Sequence, residues 1–451
     1  MDRVREAILL ALSKGYQIEP KAIEFMASVK EDPVSLIQRA MEEKKAGHII
    51  SVEEIKTLLE TEEEEEVEAE YEVLMDPSDL ISTSEGDEEF KSLFISRYRK
   101  LMSIARQRMD ASKAVKISKL KDGSLTAGLL MSKSVGNGKA RFTIDDDTGS
   151  IELMAFDRKV IRVVSEAQLN QLLIVGVEWS KKGLAVAKSA YHPDVPDHLP
   201  SLPGKHVYLA LLSDLHVGKS FIEPAFMRLV EWLKGEARRL KYLIIAGDLI
   251  EGDEARGEGA KAQMDELVRL IGLIPKGIEV FIVPGDHDPV RRALPQPRID
   301  RGHATALYEM ENVHMLGNPS WLSLHGVNVL VYHGQSLVDV IASTPGMSFS
   351  KPARAMKLLL KARHLAPEYG ARTPIAPEKE DLLVIDRVPD IVHSGHVHVL
   401  DVDEYKGTLL VNSGTWQAQT PHQANMGISP TPCLLPVVDL ATLELEVKDF
   451  R

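Results

Sequence analysis

Five short clusters of aspartate, histidine and glycine follow apolar stretches in the second half of this sequence. The clusters are Asp214-Leu215-His216, Gly247-Asp248, Gly285-Asp286-His287-Asp288, His333-Gly334 and Gly395-His396-Val397-His398. Alternate residues of an extended chain point to the same side, so both residues of an Asp-x-His or His-x-His pair can reach one metal ion. The glycines beside them allow tight backbone turns. These residue types and spacings therefore predict a metal centre.

The mixture of carboxylate and imidazole groups indicates which metal ions would suit this centre. Such ligands favour Mn²⁺, Fe²⁺ or Zn²⁺ over Ca²⁺, which prefers oxygen ligands alone. One carboxylate that bridges two ions about 3.5–4 Å apart is the usual dinuclear arrangement, and it activates both phosphate and water. A lone buried histidine is usually structural, and a lone Gly-Asp is usually a turn. Five such clusters in one region favour hydrolysis of phosphate esters over that alternative.

The apolar stretches before the clusters predict buried strands of an α/β layered domain over residues 201–451. With their clusters, these segments are VYLALLSDLH, YLIIAGDLIEG, VFIVPGDHD, NVLVYHG and DIVHSGHVH. An amphipathic helix, PAFMRLVEWLKGEARRL, separates the first two. Strands that alternate with helices are typical of α/β domains, and ligands bind there beyond the carboxyl ends of the strands. All the predicted metal ligands lie at such ends.

Three regions precede this domain. Residues 1–58 carry apolar residues at four-residue steps, which predicts a small α-helical module for docking or for DNA binding. Residues 59–89 include TEEEEEVEAEYE and are expected to form a disordered acidic linker, either a tether or a DNA mimic. Residues 90–200 begin with a connecting helix whose basic face includes Arg97, followed by short strands with Gly and Asp turns. Five strands over this length predict an OB-fold, an oligonucleotide-binding type of barrel, which binds nucleic acid or docks proteins.

The composition is that of a soluble, multidomain globular chain of 451 residues. The net charge of −13 argues against nucleic-acid binding, because phosphate contacts need Lys and Arg. Much of the acid lies in residues 61–72, so each region has to be judged separately. The single cysteine, Cys433, excludes an internal disulfide framework and predicts a cytoplasmic location. No apolar run of about 18 residues is present, so no membrane span is expected.

The order of the motifs D-x-H, G-D, G-[N/D]-H-D, H and G-H-x-H resembles the calcineurin-like metallophosphoesterases, a superfamily that includes a double-strand-break repair nuclease. Three further segments look like the small subunit of the archaeal D-family DNA polymerase: HLAPEYGARTPIAPEKEDLLVID (364–386), NSGTWQAQTPHQ (412–423) and PTPCLLPVVDL (430–440). The order of helical module, acidic linker, OB barrel and phosphoesterase domain is similar too. The resemblance implies a DNA replication subunit. Its partners would be a large catalytic polymerase subunit and single-stranded or primer-template DNA.

The resemblance also implies a role for each residue of the clusters. The first metal would be held by Asp214, His216 and His398, the second by Asp286, His333 and His396, with Asp248 bridging both. The two ions would be Mn²⁺, with Mg²⁺, Fe²⁺ or Zn²⁺ as alternatives. His287 would be the general acid beside the leaving oxygen. Arg291 and Arg292 would contact DNA phosphates or be solvated, and His393 would not be a ligand.

Two positions depart from the family pattern and affect the expected activity. Asp286 stands where the usual motif has Asn, so its full charge would bind metal more tightly and make it less electrophilic. Glu251 stands where the repair nuclease has a second catalytic histidine. Three functions are compatible with these features: a 3′→5′ proofreading exonuclease, a structural subunit that recruits a catalytic partner, and a phosphatase. The complete set of ligand-type residues favours the first, and the polymerase-like segments argue against the third.

Overall fold

The fold is known from a computed structural model that describes residues 2–29, 32–42, 49–60, 67–82, 89–107, 111–235, 237, 239–251 and 258–451. The chain divides into two compact units, Met1–Glu68 and Ala69–Arg451. None of the helices in these ranges combines the length and the apolar character needed to cross a membrane. The chain is thus a multidomain α/β protein, as its sequence predicts.

The first unit is mainly helical. Its elements are α1 (Asp2–Ser13), β1 (Gln17–Ile18), α2 (Pro20–Ser28), α3 (Pro33–Glu42), β2 (Ile49–Ile50) and α4 (Val52–Glu60). The two short strands pair in parallel. Ala7, Met26, Ile37 and Ile55 are among the apolar residues buried in its core. The role of this unit in docking or DNA binding stays a prediction.

The prediction of a disordered linker over residues 59–89 is wrong for residues 70–82. Strand β3 (Tyr71–Met75) pairs antiparallel with the strand Ser320–Leu324. The preceding Glu70 donates its N–H to the Tyr242 hydroxyl at 2.7 Å. A single 3₁₀ turn follows at Pro77–Asp79. The composition is acidic, but partners far along the chain supply the strand hydrogen bonds that local sequence cannot indicate. Residues 61–66 and 83–88 of the predicted linker lie outside the described residues.

A long helix and a closed barrel come next. Their elements are α5 (Glu89–Arg106), β4 (Ser124–Gly136), β5 (Lys139–Asp146), β6 (Gly149–Ala155), α6 (Arg158–Glu166), β7 (Leu172–Trp179) and β8 (Ala185–Tyr191). The five strands close in the order β4-β5-β6-β8-β7, which confirms the predicted five-stranded barrel. Asn137 and Gly138, both with positive φ, form the two-residue turn between β4 and β5.

Helix α5 contacts the last domain through Arg97, which the sequence analysis placed on the basic face of a connecting helix. Arg97 is instead fully buried. Its guanidinium donates to Asp381 at 2.7 Å and to the Pro367 carbonyl at 2.6 Å. Asp381 also lies 2.9 Å from His364 Nε2. A buried charge has to be paired, and the partner of Arg97 comes from a part of the chain 284 residues away.

Two six-stranded sheets form the last domain. Its strands are β9 (Tyr208–Leu212), β10 (Leu240–Ala246), β11 (Glu279–Val283), β12 (Val313–Met315), β13 (Ser320–Leu324), β14 (Val327–Val331), β15 (Ile391–Ser394), β16 (Leu400–Tyr405), β17 (Thr408–Ser413), β18 (Leu434–Asp439) and β19 (Leu445–Asp449). One sheet has the order β12-β11-β10-β9-β18-β19, and the other has the order β16-β17-β15-β14-β13-β3. Strands β9 to β12 are parallel, and so are β14, β15 and β17.

Helices cover these sheets and complete the core. They are α7 (Glu223–Gly235), α8 (Glu258–Ile271), α9 (Arg301–Tyr308), α10 (Leu337–Ser343), α11 (Pro352–Ala362) and α12 (Pro421–Asn425). Phe226 of α7 and Leu267 of α8 are buried with residues of the first sheet. Val340 of α10 and Leu359 of α11 are buried with residues of the second. The layered α/β arrangement predicted for residues 201–451 is present, and its parallel strands end close together.

Candidate metal centre

The carboxyl ends of β9, β10, β11, β14 and β15 carry the predicted ligands. Several of these residues have a left-handed backbone, namely Asp214 (φ 52°), His216 (φ 46°), Asp248 (φ 53°), His396 (φ 66°) and His398 (φ 64°). Such conformations cost about 1–3 kcal/mol each and cluster at functional sites. Glycine is required at two neighbouring positions. A Cβ on Gly285 would overlap the Asp248 carboxylate, and a Cβ on Gly395 would overlap the Asp214 carboxylate.

The first group of ligand-type atoms comes from Asp214, His216, Asp248 and His398, and its atoms lie within 4.8 Å of one another. His216 Nε2 and His398 Nε2 face each other at 3.2 Å. His398 Nε2 lies 3.1 Å from Asp214 Oδ1, and His216 Nε2 lies 3.6 Å from Asp248 Oδ2. All four residues are buried, and they converge on one point.

The second group consists of Asp248, Asp286, His333 and His396. Asp286 Oδ1 lies 3.2 Å from His333 Nε2 and 3.1 Å from His396 Nδ1. His333 Nε2 is also 3.4 Å from Asp248 Oδ2. The same oxygen of Asp248 therefore faces both groups, which is the position of a bridging carboxylate. The structure brings all seven predicted ligands together, although their role in metal binding stays a prediction.

The donor set fits divalent cations. Asp214 Oδ1 faces the first group, where His398 Nε2 lies 3.1 Å away, but it is buried and makes no hydrogen bond of good geometry among the described residues. His333 Nδ1 lies 2.6 Å from the Ala246 carbonyl. A carbonyl oxygen can only accept, so Nδ1 carries a hydrogen, and Nε2 is the nitrogen that faces the second group. This arrangement, in which the far nitrogen of a histidine is fixed by a hydrogen bond, is usual for metal ligands.

The electrostatic field of the groups also suits a cation. Burial alone would raise the pKa of Asp214, but His398 and His216 hold that pKa well below its usual range. Burial alone would lower the pKa of His333, but Asp248 and Asp286 raise it well above its usual range. The carboxylates therefore impose a negative field strong enough to favour a positive charge on a buried imidazole.

Asp288 has a positioning role that the sequence did not reveal. Its buried carboxylate accepts hydrogen bonds from the N–H groups of Leu249 at 2.9 Å and Gly285 at 2.8 Å. It thereby ties the turn after β10 to the turn after β11, which carry Asp248 and Asp286. Burial, and then the charge of Asp248, raises the pKa of Asp288 to about 6. The only sequence signal was its place in the Gly285–Asp288 cluster.

His287 lies beside the two groups and belongs to neither. Its side chain is 44% exposed, and its Nε2 is 4.0 Å from Asp248 Oδ2. It lines a cleft of about 1340 Å³ bounded by residues of α8 and α9. Lys261 and His303 are among the other lining residues. This placement leaves His287 available to a bound substrate.

Four other residues near the centre have defined partners. Arg291 donates to the Pro295 carbonyl and to Glu378, so it is not a solvated surface side chain. Glu251 accepts from the Lys219 N–H at 2.7 Å and the Ser220 hydroxyl at 3.0 Å. His393 is buried, with its Nε2 2.9 Å from the Ser413 hydroxyl. Gln423 Nε2, which the sequence did not single out, lies 2.7 Å from His398 Nδ1.

Comparison with known proteins places the chain in a family. A sequence model of the family of B subunits of DNA polymerases alpha and epsilon matches residues 209–398, a span that contains all seven predicted ligands. The DNA polymerase II small subunit of Archaeoglobus fulgidus is 34% identical over 458 residues, which cover 93% of this chain and 93% of that protein. The chain belongs to the DNA polymerase II small subunit family. The resemblance to archaeal polymerase small subunits is thereby confirmed.

Other DNA polymerase II small subunits differ in length from this one. The protein of Pyrococcus furiosus is 40% identical over 390 residues, which cover 80% of this chain. The chain spans 64% of the length of that relative and of those from two other Pyrococcus species. Among solved structures, Vps29 from Entamoeba histolytica aligns with 54% of this chain and all of its own, at 15% identity and a TM-score of 0.27. That alignment is too weak to support an argument.

Proposed function

We propose that this chain is the small subunit of a heterodimeric archaeal DNA polymerase and carries a 3′→5′ exonuclease that proofreads newly made DNA. The observation that supports the proposal most strongly is the pair of ligand groups that share Asp248 Oδ2 at the edge of an open cleft. The cleft, at about 1340 Å³, exceeds the roughly 300–1,000 Å³ of small-molecule pockets. Its size therefore suits a polymer better than a small phosphate ester.

Asp214, His216 and His398 would hold one divalent ion, and Asp286, His333 and His396 would hold the other, with Asp248 shared. Mn²⁺ suits this set best, with Mg²⁺, Fe²⁺ or Zn²⁺ as alternatives. Bound there, two divalent ions would supply Lewis-acid polarisation of the phosphate and a lowered pKa for water. Three aspartates and two such ions leave a net charge of about +1 at the centre, which attracts a phosphodiester.

The protein's own residues would orient the DNA and move one proton. His287 is exposed to the cleft, so its imidazole can donate a proton to the departing 3′ oxygen. The His287 backbone N–H donates to Asp248 Oδ1 at 3.0 Å, which fixes the histidine relative to the shared carboxylate. Lys261 on the cleft wall would contact the phosphate backbone of a single strand. The barrel, as an OB-fold, would bind DNA or the large subunit.

A second function, a structural subunit with weak nuclease activity, has its own support. Asp286 adds a full charge where the family motif has a neutral Asn, which would make the metals less electrophilic. Glu251 stands where the repair nuclease has a second catalytic histidine, so that histidine is missing from this chain. Both carboxylate oxygens of Glu251 accept hydrogen bonds, one from the Lys219 N–H and one from the Ser220 hydroxyl. In this case the main role of the chain would be to stabilise and recruit the large catalytic subunit.

A cleavage assay on single-stranded DNA separates the two functions. The purified chain, alone and with its large subunit, is incubated with Mn²⁺ and a strand labelled at either end. An exonuclease acting from the 3′ end releases a 3′ label at once as a mononucleotide and converts a 5′ label into a ladder. The Asp214→Asn variant is the matched control. No cleavage by wild type, together with stable association with the large subunit, would leave only the structural role.

A further inference from the structure

The loop that follows β11 carries two of the proposed functional residues, Asp286 and His287. We call residues 285–298 the site loop. Within it, the Gln296 side-chain amide donates to the Gly285 carbonyl at 2.9 Å and to the Arg291 carbonyl at 3.0 Å. These bonds close the loop on itself, and backbone hydrogen bonds of Leu294 with Pro374 and Ala376 join it to the rest of the domain.

Arg291 adds a side-chain attachment from the middle of the site loop. Its guanidinium donates from Nε to the Pro295 carbonyl at 2.9 Å and from a terminal nitrogen to Glu378 Oε1 at 2.7 Å. Glu378 is 1% exposed. Because the Glu378 partner is buried, solvent and salt screen this ion pair only weakly. Removing one partner would leave the other charge unpaired. Glu378 therefore helps to hold the site loop against the body of the domain, beside the backbone hydrogen bonds of Leu294.

The second carboxylate oxygen of Glu378 reaches a distant part of the chain. It accepts the N–H of Ser82 at 2.8 Å. Ser82 lies within the segment 59–89 that the sequence predicted to be disordered, and we call its described residues 70–82 the strap. The Glu378 carboxylate thus accepts a hydrogen bond from the strap and another from Arg291.

The strap also contacts the far end of the site loop. The Arg298 N–H donates to the Ser78 hydroxyl at 2.8 Å, and the Arg298 guanidinium pairs with Asp79. Asp76 Oδ1 accepts the N–H of Gly317 at 3.0 Å, next to Asn318, whose backbone pairs with Gln296. The site loop is therefore joined to the strap at two places, once through Glu378 and once through Arg298.

We propose that Glu378 is a positioning residue for the metal centre, which fixes the site loop through Arg291 and couples that loop to the strap. Loss of either contact loosens the backbone that presents Asp286 and His287. Side chains that orient metal ligands from outside typically change metal affinity or activity by about 10–100-fold when removed. Because Glu378 acts through Arg291 rather than on a ligand directly, the effect is at the lower end, about 10-fold.

The experiment measures metal binding and loop motion in the full chain. Glu378→Ala should weaken Mn²⁺ binding about 10-fold in calorimetry and speed amide exchange across residues 285–298. Glu378→Gln keeps a neutral acceptor and should fall between the alanine variant and wild type. The matched control is Asp439→Ala, which removes a mostly buried carboxylate of β18 that pairs with His206, away from the strap and the site loop. This control should change neither the Mn²⁺ affinity nor the amide exchange of residues 285–298.

A second variant reaches the same link from the strap. Ser82→Pro removes the N–H that Glu378 accepts, together with the hydroxyl, and fixes φ at an exposed position. It therefore still tests the link if Glu378→Ala fails to fold. It should also speed exchange in residues 285–298. Unchanged exchange and Mn²⁺ affinity in both folded variants would overturn the proposal, as would a general loss of protection with no excess in the site loop. The Mn²⁺ reading rests on the proposed function. If wild type binds no Mn²⁺, that function fails, and the exchange data still decide the coupling.

Discussion

Replacing Asp248 by Asn removes the one charge that faces both proposed metal positions and keeps the shape of the side chain. Asp248 is 2% exposed. Its Oδ2 lies 3.6 Å from His216 Nε2 and 3.4 Å from His333 Nε2. Its Oδ1 accepts the His287 N–H at 3.0 Å, a bond that an asparagine oxygen can also make. The substitution therefore changes charge while it disturbs the structure little.

The size of the effect follows from Coulomb's law. Two unit charges about 4 Å apart interact by about 4 kcal/mol at an effective dielectric constant near 20, and about 1.4 kcal/mol corresponds to one decade of affinity. A divalent ion carries twice the unit charge, so loss of the Asp248 charge should weaken the binding of each ion by at least roughly 10³-fold. Turnover at a fixed, limiting Mn²⁺ concentration should fall by at least about 10³-fold, because both ions are affected together.

Titration calorimetry with Mn²⁺, followed by the single-strand cleavage assay, measures both quantities. Asp439→Asn is a suitable control, because Asp439, the last residue of β18, is a mostly buried carboxylate that pairs with His206. It belongs to neither ligand group. It should bind Mn²⁺ and cleave DNA as wild type does. An Asp248→Asn variant that keeps two Mn²⁺ ions at wild-type affinity and normal turnover would refute the shared-carboxylate reasoning.

Four further outcomes are expected. His287→Ala should lose about 10²–10⁴-fold in turnover with unchanged metal content by elemental analysis; loss of metal would show that His287 is a ligand. Asp286→Asn should bind Mn²⁺ more weakly but cleave equally well or faster at saturating Mn²⁺, and a large loss there would show that the centre depends on the carboxylate. Deleting residues 1–68, which leaves the strap in place, should preserve both cleavage and co-purification with the large subunit; loss of co-purification would make the N-terminal unit the main dock. Burial, and then Arg97, lowers the pKa of His364 to about 4, so the unfolded chain binds a proton that the folded chain excludes between about pH 6.5 and 4. The free energy of unfolding, from urea titrations, should therefore fall as pH falls through that window by at most about 3 kcal/mol, and His364→Gln should remove this part of the dependence.

The gathering of the seven candidate ligands was predictable in part from sequence, for a physical reason. Each follows a buried strand, and parallel strands of one sheet end at the same edge. This rule predicts one group of strand ends in the first sheet (β9, β10 and β11) and another in the second (β14 and β15), but only the fold shows that the two groups meet. The positions of Asp214 and Asp248 at one edge of the sheet could be predicted from this rule alone. The five-stranded barrel was predictable in the same way, because residues such as Asn137 and Gly138 mark its turns.

The strap and Arg97 could not be read correctly from local sequence. The residues around Tyr71 are acidic, and composition alone indicates disorder there. Strand β3 exists because β13 supplies its hydrogen bonds. Arg97 looks like one charge of a solvent-facing helix, but Asp381 pairs with it from 284 positions away. The roles of Asp288 and Glu378 likewise depend on backbone groups that only the folded chain brings within reach.

Anomalous X-ray scattering from crystals soaked with Mn²⁺ tests the central claim most directly. The proposed centre predicts two Mn²⁺ peaks about 3.5–4 Å apart. Asp248 Oδ2 should lie between them, with His216 and His398 beside one peak and His333 and His396 beside the other. A single peak, or two peaks that do not share Asp248, would contradict the account.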